Sequence, residues 1–106
     1  MKECVKSWLD DQMGGMEASM VDAIYSEYCA TVNRLHSELA AVRTGGAAAE
    51  ADVARLVHTL KGSALMVGDN SLHDALVAWR SAFKLGDYAS ADALWAAVDD
   101  EVKAIR

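Results

Sequence analysis

Apolar residues recur along this chain at steps of three and four, and nowhere alternate with polar ones over a strand's length. That pattern predicts helix throughout. The clearest run is Val21, Ile24, Tyr28, Val32, Leu35, Leu39 and Val42. It predicts one long amphipathic helix over about 17–43. A second helix, from about 48 to 67, is carried by Val53, Leu56, Val57, Leu60, Ala64 and Val67. Leu72, Leu76, Trp79 and Phe83 mark a third, and Leu94, Trp95, Val98, Val102 and Ile105 a fourth. Ahead of all these, Val5, Trp8 and Leu9 fit a short helix over 3–12.

The breaks agree with this division. Gly14-Gly15, Gly45-Gly46, Gly68 and Gly86 stand between the segments, each where a left-handed cap would end the preceding helix. Gly68-Asp69-Asn70-Ser71 stops one helix and offers the next a polar N-cap. Proline is absent and alanine occurs 20 times, which favours helix further. Apart from the alanine-rich turn at 45–49, the chain has no repeat or low-complexity linker. Four amphipathic helices joined by short connections predict an all-α, antiparallel up-down four-helix bundle over about 17–105. The short helix 3–12 is extra, and one domain spans 1–106. The Trp, Tyr and Met residues at helical spacing are expected in the core.

Charge narrows the partners. The 106 residues hold 10 Lys and Arg against 16 Asp and Glu, a formal charge of −6. A nucleic-acid partner is not expected, because phosphate binding needs a basic face. No apolar run approaches the ~20 residues that span a bilayer, so no membrane partner is expected either. Met1-Lys2-Glu3-Cys4-Val5-Lys6 lacks the apolar stretch of a secretory signal. Cys4 and Cys29 stand alone, as small core or surface residues of a reducing compartment. The expectation is a soluble cytoplasmic domain.

Bundles host many functions, so function has to come from a site. The informative stretch is Leu56-Val57-His58-Thr59-Leu60-Lys61-Gly62-Ser63-Ala64-Leu65-Met66-Val67-Gly68. At about 100° per residue, His58 points roughly 145° away from the centre of the apolar stripe. Gly62 lies almost opposite the core, Arg55, Thr59 and Leu65 share the outward side, and Lys61 is on its flank. A mid-helix glycine costs about 1 kcal/mol relative to alanine, and no facing helix calls for Gly62. Its missing side chain, one turn after the imidazole, lets another protein's surface come close. Leu65 is an apolar residue on the wet side, and Lys61 offers a cation one turn from the ring. An exposed nucleophilic imidazole with a cleared approach, an apolar contact and a nearby cation suits a transient phosphoryl carrier.

His58-Thr-Leu-Lys61-Gly62-Ser63, followed after four residues by Gly68, resembles the HxLKG(S)xxxxG signature of histidine-containing phosphotransfer (HPt) domains. The resemblance extends through Asn70-Ser71-Leu72, the third helix and the Gly86-Asp87 turn; upstream only the long helix matches. It implies a four-helix bundle that relays phosphoryl groups between receiver-domain aspartates of a hybrid sensor kinase and a response regulator. His58 would accept the group on the ring nitrogen farther from the backbone. Lys61 would help hold its charge, Gly62 would clear space, and Arg55, Thr59 and Leu65 would meet the partner. The carrier would need no cofactor or metal of its own, the Mg²⁺ belonging to the receiver, and would have no autonomous kinase activity. Its start at Met1, with no kinase sequence, suits a free-standing monomeric shuttle. Two positions depart from the common pattern. Val57 precedes the histidine where alanine is frequent, and Trp79-Arg80 replaces a Leu-Glu pair, where Arg80 is expected to alter receiver preference through charge. Arg55 and Lys61 should form a local basic rim, since a receiver pocket is acidic.

The remaining chemistry-bearing residues have plainer readings. His36 is a solvated or boundary residue, and His73 can pair with Asp74. A metal site from His36, His58 and His73 lacks paired i, i+4 spacing, and Asp99-Asp100-Glu101 reads as a solvated acidic face. No nucleophile elbow, phosphate loop or dinucleotide fingerprint is present. Two alternatives stand beside the carrier: a scaffold that docks on receivers without being phosphorylated, and an unrelated helical interaction module in which Leu65 belongs to a partner surface.

Overall fold

The computed structural model describes residues 1–105. Five α-helices follow in order: α1 (Glu3–Met13), α2 (Ala18–Val42), α3 (Glu50–Met66), α4 (Asn70–Lys84) and α5 (Tyr88–Lys103). A 3₁₀ segment, Arg43–Ala49, joins α2 to α3, and no strand occurs among the described residues. Helix α2 packs on α3, α3 on α4, α4 on α5, and α5 returns to α2. Four helices therefore enclose one core, in a rod of 46 × 19 × 18 Å.

The stripes read from the sequence line that core. Val32, Leu39, Val53, Leu60, Leu72, Leu76, Val98 and Val102 are at most 1% exposed. Trp79, 1% exposed, stacks on Phe83 at 5.2 Å and meets Trp95 edge-on at 5.3 Å. Both helices after a tight turn begin on an aspartate: Asp69 accepts from the Leu72 backbone N–H, and Asp87 from that of Ser90. Each carboxylate satisfies a donor that the first turn leaves unpaired.

Several expectations are corrected. Helix α3 starts at Glu50 rather than near 48, because the chain winds more tightly through 43–49 and breaks at Gly46 (φ 59°, ψ −141°). Only Gly46, Gly68 and Gly86 have positive φ among the described residues, whereas Gly14 ends α1 in right-handed geometry. Not every methionine and tyrosine is core: Met20 is 51% exposed, Met66 73% and Tyr88 40%. The acidic run is not a free solvated face. Asp99 pairs with Lys103 at 2.8 Å and with His36 at 3.2 Å, and Glu101 pairs with Lys2 at 2.8 Å. His36 is a boundary residue, its ring stacked on Trp95 at 5.3 Å. Lys103 lies one turn along the same helix, but Lys2 and His36 come from the far end of the chain and from across the bundle, so no local run reveals them. Cys4 and Cys29 are free and half-buried.

Helix α1 packs over one end of the rod through Val5 and Leu9, which are 0% and 2% exposed. Its Trp8 lies against the α3–α4 turn: a Cβ on Gly68 would stand 2.4 Å from Trp8 Cβ, and Gly68 has φ +69°. Only glycine meets both conditions. Gly68→Ala should therefore lower unfolding free energy by roughly 2–4 kcal/mol, from left-handed strain plus overpacking, as read by urea denaturation.

Acid should weaken the fold through its paired carboxylates. The hydrogen bond from Lys2 holds Glu101 below its ordinary value of 4.5, and that from Arg80 does the same for Glu50. A depressed folded-state pKa gives stability that is complete above the unfolded value and lost as pH falls through the folded one. Urea midpoints should thus be level above about pH 6 and drop below about pH 4.5. Glu101→Gln should flatten part of that slope.

Candidate functional site

Helix α3 is packed on one side and bare on the other. Val53, Leu56, Val57, Leu60 and Ala64 are at most 2% exposed, between α2 and α4. The 3.6-residue turn then leaves His58 on the outer side, where it is exposed. Val57 has its side chain in the core, so its difference from alanine is a packing matter.

The other five candidates surround His58 on the same helix. Arg55 is exposed, with its guanidinium 4.0 Å from Asp52. Thr59 is exposed, and its hydroxyl donates to the Arg55 carbonyl at 3.1 Å. Lys61 is half-buried, Gly62 exposed and Leu65 51% exposed. A Cβ built on Gly62 would have no atom within 4 Å, so nothing in the packing requires glycine there. Neither His58 nor Lys61 forms an ion pair among the described residues. All six positions therefore lie on one helix, α3.

Two expectations about charge change, and the two other histidines are placed as expected. The neighbouring Asp52 offsets part of Arg55's charge, so the basic rim rests mainly on Lys61. Arg80 is turned to Glu50, giving Nη1 to Oε2 at 3.1 Å and Nη2 to Oε1, with its side chain 18% exposed. It ties α4 to the start of α3 rather than presenting a free charge. His73 pairs with Asp74 at 3.3 Å, while His36 is committed to Trp95 and Asp99. Among the described residues no group of three or more His, Cys, Asp or Glu is placed to hold a metal ion.

Beside the histidine surface runs a feature missed in the sequence. A cavity of about 440 Å³ lies between α2 and α3, with Ala23, Ile24, Glu27, Thr31, Ser63 and Met66 among its walls. The signal was available. The 100° step puts Met66, like Leu65, well away from the buried stripe, and the expectation of core methionines does not hold for it. With Leu65 and Met66 together, the surface around His58 offers apolar contact.

Chemically, the arrangement leaves a nucleophilic ring open to solvent. It provides open space on the approach side and a cation one turn away. A family model for the Hpt domain matches residues 9–106. No curated protein and no solved structure is significantly similar to the chain. No helix among the described residues is long and apolar enough to cross a membrane.

Because Gly62 faces open space within a helix, Gly62→Ala should raise the unfolding free energy by about 1 kcal/mol. A thermal melt should show the midpoint rising, and a fall would mean that the glycine serves packing.

Proposed function

The chain belongs to the Hpt domain family, and from that membership we propose that it relays a phosphoryl group between receiver-domain aspartates, with His58 as the acceptor. Hpt domains act in histidine phosphotransfer in two-component signalling as carriers rather than kinases, and they interact with receiver domains. The observation that supports His58 most directly is its exposure in mid-helix, one turn from a glycine whose missing side chain leaves open space. On this reading the chain is a single antiparallel up-down bundle, monomeric and cytoplasmic.

The receiver brings an aspartyl phosphate and a divalent cation in an acidic pocket. The imidazole enters in line with the phosphorus. An N–P bond forms to the ring nitrogen farther from the backbone, the acyl P–O bond breaks, and the aspartate leaves as carboxylate. Preorganised charge in the receiver stabilises most of the transition state. This chain contributes the nucleophile, its orientation and the Lys61 cation beside the incoming charge. A side-on contact of modest area suits fast release rather than tight affinity. Arg55, Thr59, Gly62 and Leu65 form its nearest part, joined by Met66.

The test is to incubate the protein with a phosphorylated receiver and Mg²⁺. Wild type should acquire acid-labile, alkali-stable label and His58→Gln none. Gly62→Gln should slow transfer at least about tenfold, since small misplacements at a reacting centre are costly, while keeping or gaining stability. Labelling of His58→Gln would end the acceptor assignment, and binding without label on wild type would favour a scaffold. An unchanged rate for Gly62→Gln would remove the argument from clearance.

A further inference from the structure

The last turn of α3 is secured by a group brought from the other end of the chain. Asp69 follows that turn and is fully buried. Its carboxylate accepts from Lys2 Nζ at 2.9 and 3.0 Å, the Tyr28 hydroxyl at 2.6 Å, Ser71 Oγ at 3.1 Å and the Leu72 backbone N–H at 3.3 Å. Its own backbone N–H donates to the Ala64 carbonyl at 2.8 Å. One residue thus ends the His58 helix and begins the next. Lys2 is its ion-pair partner and also reaches Glu101 at 2.8 Å. Trp8 covers Gly68 from the same segment. Lys2 and Trp8 both precede residue 9, where the family match begins.

A buried ion pair behaves differently from an apolar contact. Its attraction is largely offset by the desolvation of both charges, while separating the partners in place leaves a buried charge unpaired. If α1 lifts away entirely, Lys2 and Asp69 both regain water. For the two charges, partial release is therefore the costly state, so α1, whose Val5 and Leu9 are buried in the core, leaves as a unit or not at all. Exposed Gly14 and Gly15 lie directly after α1 and supply the backbone freedom for a hinge.

We infer that α1 is a clip that opens as one unit about Gly14-Gly15, and that its position governs the order of the last turn of α3, which carries Leu65 and Met66 beyond His58. The opening stands on geometry alone; its effect on transfer rests on the docking reading above.

Amide hydrogen exchange on the full-length wild type tests the opening. Residues 3–13 and 64–72 should exchange at matching rates, at least about tenfold faster than the middle of α5. Lys2→Gln should accelerate both segments together, by about tenfold or more, and leave α5 unchanged. Wild-type rates equal to those of α5, or acceleration confined to residues 3–13, would overturn the clip. In transfer assays Lys2→Gln should raise the half-saturating concentration of phosphorylated receiver about threefold, with the maximal rate within about twofold of wild type. Unchanged half-saturation beside accelerated exchange would break the link to docking. Absence of label on wild type would refute the acceptor role instead, with the clip still decided by exchange.

Discussion

Burial of the α3 stripe between α2 and α4 is the constraint on which everything else depends. Five side chains on that helix are at most 2% exposed, and a helix that buries one face must turn the opposite one outward. His58 owes its exposure to Val53, Val57, Leu60 and Ala64 rather than to any neighbour that holds it. A loop histidine would be just as exposed but far less fixed in direction. Here the rotation of α3 is set by close-packed residues on both flanks, so the direction of the imidazole follows from core packing. The Arg80–Glu50 pair adds a second tie across the α3–α4 seam.

The charge balance becomes intelligible once the partners are placed. Many of the acidic residues are engaged: Asp69 and Glu101 by Lys2, Glu50 by Arg80, Asp92 by Arg43, and Asp99 by Lys103. Much of the scarce positive charge is thus paired with carboxylates of the same chain. Lys61 is different, with no ion-pair partner among the described residues. Exposed ion pairs contribute little to stability, so such a cation on the histidine surface has more to offer an arriving anion than the fold.

The helices and the core were legible because a 3.6-residue period leaves a direct trace in the order of apolar residues. The outward direction of His58 followed from the same arithmetic, and the bare face at Gly62 from the absence of any packing reason for glycine. That the stretch from Gly68 to Ser71 caps α4 was legible, though the structure is what identifies Asp69 as the capping residue. Its burial was not legible, since Lys2 and Tyr28 lie 67 and 41 residues away. The same distance in sequence hid the Trp8–Gly68 contact, the His36–Asp99 contact and the Lys2–Glu101 pair. Gly68 looked like a cap and is one, but the contact with Trp8 excludes any side chain even more firmly than its φ does. Met66 departs from the core expectation for another reason: its angular position on α3, not its residue type, decides which face it takes.

Gly62 and Gly68 illustrate how glycine serves opposite ends in one motif. Gly68 is required by the chain's own atoms, because Trp8 and a positive φ leave no room for a side chain. Gly62 meets no such demand: its surroundings are empty and its backbone is helical. A helix interior favours alanine there by about 1 kcal/mol, so folding alone gives no account of the residue. What a bare position beside an exposed imidazole does provide is room for atoms that belong to another molecule. The fold thus explains one glycine completely and leaves the other to be explained by contact with a partner, and that asymmetry ties the open face of α3 to the proposed transfer.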